Sequence, residues 1–369
     1  MTPKIALVHE RFTDIAGSEH VVAELAAQWP QAKIHVPFAR PEGIPGGLLD
    51  RVETSSLQPL YKALGKRSYA PLLPLVPSAM KHGTLRKSEA DAVVISHHAF
   101  ALAALAAVDA PSVAYVHSPA RWAWDDTFRR DEASGTLNTL ALKALANRAR
   151  ANESRYAPKV TTVVANSTAV RERIENWWHR EATVVHPPVD LSFFTPDPAL
   201  KKEDYFIMVG RMVPYKQVPL GVRAAVRAGV RLIVVGEGRD LGRARAVAGP
   251  NVEFRGRLPG KEMRDLIRGA RALLMPGEED FGIVPVEAMA CGTPVIALGR
   301  GGALDTVRPG ISGLLVDGET EQEVVENLAE TMKNFRDDTF TTPTLVDWAQ
   351  RFSPTEFRRQ MDGLVTAVL

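Results

Sequence analysis

The sequence predicts an α/β protein made of doubly wound parallel sheets. Three observations predict it. Short apolar runs rich in β-branched residues recur along the chain, and their near-continuous hydrophobicity suits strands buried on both faces. Longer stretches with helical periodicity separate them. The 369 residues are enough for two domains.

In the first half, residues 5–8, 92–96, 112–116 and 161–165 read as strands. In the second half, 205–209, 231–235, 252–255, 272–275 and 294–297 do. Helical stretches are expected over 18–29, 167–178, 216–228, 260–270 and 320–335. Pro187, Pro188, Pro196 and Pro198 crowd the middle of the chain and favour an extended linker over helix. The expected division is an N-terminal Rossmann-like domain over 1–190, a second over 191–347, and a closing helical segment over 348–369 with Ser353 or Thr355 near the helix start. Phe357, Met361, Leu364 and Val368 give that helix one apolar face, expected to cross back to the first domain.

Composition excludes several classes. Hydrophobic residues are 45% and charged residues 24% of the chain, ordinary values for a globular protein. Cys291 is the single cysteine, which excludes a disulfide framework and a cysteine-based zinc site within the chain. Lys plus Arg number 45 against 43 Asp plus Glu, so a dedicated nucleic-acid binder is not expected. The first apolar run meets His9, Glu10 and Arg11 too soon for a signal-peptide core. The apolar run over 99–108 is far shorter than the ~20 residues of a spanning helix. The expected location is the cytoplasm. Residues 61–90 add a basic stretch with Lys62, Lys66, Arg67, Lys81, Arg86 and Lys87 against Glu89. Leu72, Leu73, Leu75, Val76 and Met80 lie in the same stretch, a combination that suits peripheral contact with an anionic membrane or a solvated face over a core.

The densest chemical signal is residues 276–296, PGEEDFGIVPVEAMACGTPVI. A strand ends at Met275, a loop with Gly277 and Gly282 follows, and a helix starts near Ile283. Ligands of open α/β sheets bind at the carboxyl ends of strands, and a helix N-terminus there offers free N–H groups to a phosphate. Glu279 and Glu287, with seven residues between them, frame the loop and can face one crevice. A carboxylate accepts two hydrogen bonds side by side, which suits a vicinal diol. Either glutamate alone would read better as a surface charge. A second cluster, Gly210-Arg211-Met212-Val213-Pro214-Tyr215-Lys216, also follows a strand and opens a helix. Its guanidinium and ammonium can clamp a diphosphate.

With these residues in place the chain resembles glycosyltransferase family 4, retaining enzymes of the GT-B fold with two Rossmann-like domains facing a central cleft. Glu279 and Glu287 match the family's E-x7-E motif, and Gly210, Arg211 and Lys216 match its Gly-Arg…Lys loop. The resemblance implies that Arg211 and Lys216 bind the donor diphosphate, that Glu287 holds the nucleotide ribose and that Glu279 contacts sugar hydroxyls. It implies that backbone groups of Phe281, Gly282, Ile283 and Val284 face the sugar and phosphates, with the base near Gly256, Arg257 and Leu258. Tyr115-Val116-His117-Ser118-Pro119 is similar to the family's strand-end histidine segment, placing His117 beside the donor sugar. Gly17 stands in the family's Gly-Gly loop, where Ala16 replaces the first glycine. Asn166-Ser167-Thr168 also resembles a family segment, and Ser167 reads equally as a helix cap.

The activity implied is hexose transfer from a nucleotide diphosphate sugar to a glycan or lipid-linked acceptor, without metal or cofactor and with anomeric configuration retained. The wording of 278–287 and the loop 299–303 resemble bacterial GDP-mannose-dependent mannosyltransferases of polysaccharide assembly. Rivals are a sugar-nucleotide epimerase of the same fold, a non-catalytic partner protein and, more remotely, a dehydrogenase. Gly236, Gly238 and Gly242 mimic a dinucleotide fingerprint, but the third glycine is one position late. Asp125-Asp126 and His97-His98 lack the spacing of a metal site.

Overall fold

The computed structural model describes residues 3–65, 68–126, 128–129 and 136–369. The chain forms two compact units. The first holds Met1–Pro188 and Pro354–Leu369, the second Val189–Ser353.

In the first unit the strands are β1 (Ile5–His9), β2 (Ile34–Val36), β3 (Val52–Thr54), β4 (Ala92–His97), β5 (Ser112–Val116), β6 (Thr162–Ala165) and β7 (Thr183–Val184). They form one sheet in the order β3-β2-β1-β4-β5-β6-β7. Every pairing is parallel, with Val8 opposite Ile95 and Ile95 opposite Ala114. In the second unit β8 (Phe206–Val209), β9 (Leu232–Val235), β10 (Val252–Gly256), β11 (Leu273–Met275), β12 (Val295–Leu298) and β13 (Gly313–Val316) form a second sheet. Its order is β10-β9-β8-β11-β12-β13, again all parallel. The expected α/β class with two Rossmann-like sheets is therefore observed.

Side chains on both faces of each sheet are buried, which explains the unbroken apolar runs. The sequence signal is weakest for β2, β3, β7 and β13. His35 and Glu53 interrupt two of them, β7 has two residues, and β13 opens on Gly313. β3, β7 and β13 are also edge strands, which need less apolar surface than central ones.

Each sheet changes direction once, between β1 and β4 in the first and between β8 and β11 in the second. The carboxyl ends of those pairs are where loops part and leave room for a ligand.

The closing helix starts at Pro354, between the two starts expected at Ser353 and Thr355, and the residues from 348 to 352 belong to separate elements. Helix Thr342–Ala349 is followed by a 3₁₀ turn, Gln350–Phe352, and then by helix Pro354–Thr366. Pro354 cannot extend the preceding turn but suits the first turn of a new helix. Trp348 and Phe352 stay in the second unit, where Trp348 donates to the Thr306 carbonyl and Phe352 meets Phe281 at 5.6 Å. Helix Pro354–Thr366 packs in the first unit against helix Gly17–Gln28, with Arg358 paired to Glu24 and Phe357 edge-on to Tyr115 at 5.5 Å.

The basic stretch folds as helices Gln58–Ala63 and Val76–Lys81 joined by 3₁₀ turns. Leu72, Val76 and Met80 point into the core, so they are not available to a membrane. Leu60, Leu64 and Leu75 are exposed instead. Lys66 and Arg67 lie outside the described residues. Among the described residues no helix is long and apolar enough to cross a membrane. Within the apolar run 99–108 lies a 3₁₀ segment, Ala101–Ala106, whose first four residues are buried.

Candidate active site

The switch point of the second sheet gathers two loops. After β8 the chain bends through Gly210 and a 3₁₀ turn, Pro214–Lys216, before helix Val218–Ala228. After β11 it runs through 276–282 into helix Ile283–Ala290. The loops touch at Gly277, where a Cβ would stand 2.3 Å from the Tyr215 carbonyl oxygen and 2.6 Å from Lys216 Cα. Only glycine permits that approach. It brings Lys216 Nζ to 2.7 Å from Glu279 Oε1. Arg211, Lys216 and Glu279 line one small hollow of about 30 Å³ with Gly210 and Pro276. Gly282 stands at the N-cap of helix Ile283–Ala290 with φ 86°.

Charge in this region is unevenly matched. Burial works against the Lys216 ammonium, but the Glu279 carboxylate and Tyr215 beside it outweigh that, and its pKa is raised. Burial pushes Glu287 up to about 7; Lys216 opposes the shift, while Asp190 and Glu279 reinforce it. The same three groups thus sit within one electrostatic neighbourhood. Arg211 is exposed, and its guanidinium has no hydrogen-bond or ion-pair partner among the described residues.

The dinucleotide-like glycines have a packing role here. At Gly236, φ is 133° and a Cβ would lie 1.9 Å from the Gly210 carbonyl oxygen. Glu237 accepts the Met212 N–H and Met212 accepts the Asp240 N–H, so the β9 loop supports the Arg211 loop through its backbone. Gly236 also donates to the Gly256 carbonyl, tying the end of β10 to the same group. Arg257 beyond it is exposed, and Leu258 packs on the core. Phe281 is buried, and its backbone lies close against Gly302. Ile283 and Val284 are half-buried at the helix start.

The first sheet's switch point holds a buried polar network. Glu19 Oε1 lies 3.2 Å from His9 Nε2, His9 Nδ1 lies 3.0 Å from Ser96 Oγ, and Ser96 Oγ lies 2.8 Å from His117 Nε2. His9 ends β1, Ser96 is the fifth residue of β4, and His117 follows β5. Gly17 opens the helix that carries Glu19. Burial pushes the His117 imidazole down to about 3, and the neighbouring His9 adds to that. His98, stacked on His117 at 4.4 Å between ring centroids, is driven well below the usual histidine range by burial and by His117. Burial alone would raise Glu19, but the His9 ring and the Ala16 and Ser18 donors hold it at about 2.

Two further buried carboxylates shape this end of the sheet. Glu10 accepts the backbone N–H groups of Ala99, Phe100 and Ala101. Glu153 is fully buried and accepts from His97, the Ala120 N–H and the indoles of Trp124 and Trp178. Asn166 Nδ2 donates to the His117 carbonyl at 2.8 Å, and Ser167 caps helix Thr168–Trp178 by accepting the Val170 N–H. His9, Glu19, Ser96, His98 and Glu153 were missed by pattern reading. A signal was present: His9, Ser96 and His98 sit at or just beyond the ends of recognisable strands.

Two parallel sheets, each with its polar groups at a topological switch point, define the architecture of GT-B glycosyltransferases. The Anabaena HepE structure in complex with UDP and glucose superposes with a TM-score of 0.70 at 19% identity, covering 99% of this chain and all of that one (100%). Sucrose-phosphate synthase from Thermosynechococcus elongatus superposes with a TM-score of 0.74 at 18% identity, over 99% of both chains. Residues 15–193 match the Glycosyltransferase Family 4 model, and residues 193–339 match the Glycosyl transferases group 1 model. The chain is thus a Glycosyltransferase Family 4 domain followed by a Glycosyl transferases group 1 domain. A D-inositol 3-phosphate glycosyltransferase from Mycobacterium sp. (strain KMS) is 39% identical over 162 residues, 37% of this chain and 36% of that protein. D-inositol 3-phosphate glycosyltransferase 1 from Catenulispora acidiphila is 32% identical over 215 residues, 50% of this chain and 49% of that protein. The matches span less than half the length of these relatives.

Proposed function

We propose that this protein is a retaining glycosyltransferase that moves a hexose from a nucleoside diphosphate sugar to a hydroxyl acceptor. The observation that carries the reading is the convergence of Arg211, Lys216 and Glu279 on one hollow, with Glu279 in the loop that leads into helix Ile283–Ala290. The difficult step is departure of the diphosphate, which gathers negative charge as its bond to the anomeric carbon breaks. Arg211, Lys216 and the free N–H groups of that helix supply the opposing charge. Lys216 is held in place by Glu279, whose remaining lone pairs serve the sugar hydroxyls. Glu287 receives the ribose diol, and Gly256, Arg257 and Leu258 receive the base. His117 is the first unit's hydrogen-bonding group for a sugar hydroxyl. The acceptor oxygen forms the new bond on the face the diphosphate leaves, and its proton passes to a diphosphate oxygen.

For the donor, the wording of 278–287 and of the 299–303 loop favours GDP-mannose with a glycan or lipid-linked acceptor. The neighbour whose structure holds UDP and glucose favours a UDP sugar as the second reading for the donor, and the name of the curated relatives favours D-inositol 3-phosphate as a second reading for the acceptor. Exposed Leu60, Leu64 and Leu75 beside Lys62, Lys81 and Lys87 support peripheral contact with anionic lipid.

Turnover assays with GDP, UDP and ADP sugars test both levels. Arg211→Ala and Lys216→Ala should each lose on the order of 100-fold in turnover on whichever donor is used. Near-wild-type turnover in both variants removes the mechanism.

A further inference from the structure

Four side chains link Glu19 to His117 without a break, and the chemistry of their partners assigns the protons. Glu19 is an ionised carboxylate whose Oε2 already accepts from the Ala16 N–H at 2.9 Å and the Ser18 hydroxyl at 3.0 Å. It can only accept, so when His9 carries a single ring proton, that proton sits on Nε2. His9 Nδ1 is then a lone pair, and the Ser96 hydroxyl must donate to it. That leaves Ser96 with lone pairs alone toward His117, whose Nε2 must carry the proton. The Nδ1 of His117 is therefore a bare lone pair. Among the described residues it has no hydrogen-bond partner. The ring cannot turn away, because His98 lies flat against it with an interplanar angle of 11° and Tyr115 stands edge-on at 5.2 Å.

We propose that Glu19, His9 and Ser96 are positioning residues that fix the tautomer of His117, so that its Nδ1 accepts a hydrogen bond from a ligand hydroxyl. The ligand half of this inference rests on the proposed function, in which His117 meets a sugar. The proton assignment does not. An accepting nitrogen binds a hydroxyl by its hydrogen and leaves the oxygen's lone pairs for other donors. The other tautomer would compete for those lone pairs instead. The low pKa of His117 fits a ring that stays neutral while it does this.

Long-range proton–nitrogen NMR of the full chain labelled at histidine nitrogen reads the tautomer without any ligand. The measurement is made at mildly alkaline pH, and His117 is assigned by its loss in His117→Gln. The expected spectrum has His117 protonated at Nε2 and unprotonated at Nδ1. Glu19→Gln frees the His9 end of the chain to donate or accept, and Ser96→Ala removes the link, so both should give a mixed or reversed tautomer. In Ser96→Ala turnover should fall about tenfold while nucleoside diphosphate affinity stays unchanged. A wild-type His117 protonated at Nδ1 overturns the assignment even if neither variant folds. An unchanged tautomer in both variants overturns the relay. Wild-type turnover in His117→Gln overturns the ligand contact and the reading beneath it, with the tautomer result still standing or falling by its own spectrum.

Discussion

At the switch point of the first sheet, polar side chains bond to one another. His9, Ser96, Glu10 and Glu153 are buried, and the carboxylates among them are filled by protein donors. At the switch point of the second sheet, Arg211 is exposed, Lys216 shares one carboxylate, and Glu287 is biased toward its neutral form. The same topology carries both. In the first unit, polarity is used to hold loops and rings in place. In the second, glycine-built loops bring an exposed guanidinium and a carboxylate-paired ammonium to one hollow.

The contrast breaks if the first network carries no stability. Glu153→Ala would leave the His97 ring, the Ala120 N–H and two indoles without their acceptor. Denaturant unfolding should show a loss of at least about 3 kcal/mol, since stranded buried donors cost more than the bonds they made. A loss below about 1 kcal/mol would mean the network is not what fixes the strand ends.

The second region sharpens the comparison through pH. Glu287 has its pKa raised from 4.5 to about 7, so the native state binds its proton more tightly than the unfolded chain does. Stability is therefore fullest below about 4.5 and falls as pH rises toward about 7, by an amount on the order of 3 kcal/mol. Glu287→Gln should flatten that part of the stability–pH curve and leave the variant more stable than wild type at pH about 8. Parallel curves for the two proteins would contradict the burial of an unmatched carboxylate.

Much of this was legible in the residues. Central strands announce themselves because both faces are apolar, as in β4 and β5. The Gly277 to Glu287 segment is legible because a tight approach, a helix start and two carboxylates must all be written in adjacent positions. The relay was not. Glu19, His9, Ser96 and His117 come from four places in the chain and meet only because β1, β4 and β5 are neighbours. The first helix starts within one residue of its expected position although Ala16 offers no side-chain cap, and the Glu19 side chain accepts the Ala16 N–H instead. The start of the last helix was legible too, since Ser353 and Thr355 bracket Pro354, a residue that suits a first helical turn. The glycines of 236–242 carried a false nucleotide signal, since close backbone contact and phosphate binding call for the same residue.

The central claim is that the second unit holds a nucleoside diphosphate through Arg211 and Lys216. Titration calorimetry with GDP and UDP on wild type and on the Arg211→Ala/Lys216→Ala double variant tests it most directly. The account predicts that at least one diphosphate binds wild type, and that the double variant binds it at least about tenfold more weakly. Equal affinity in the two proteins would contradict it.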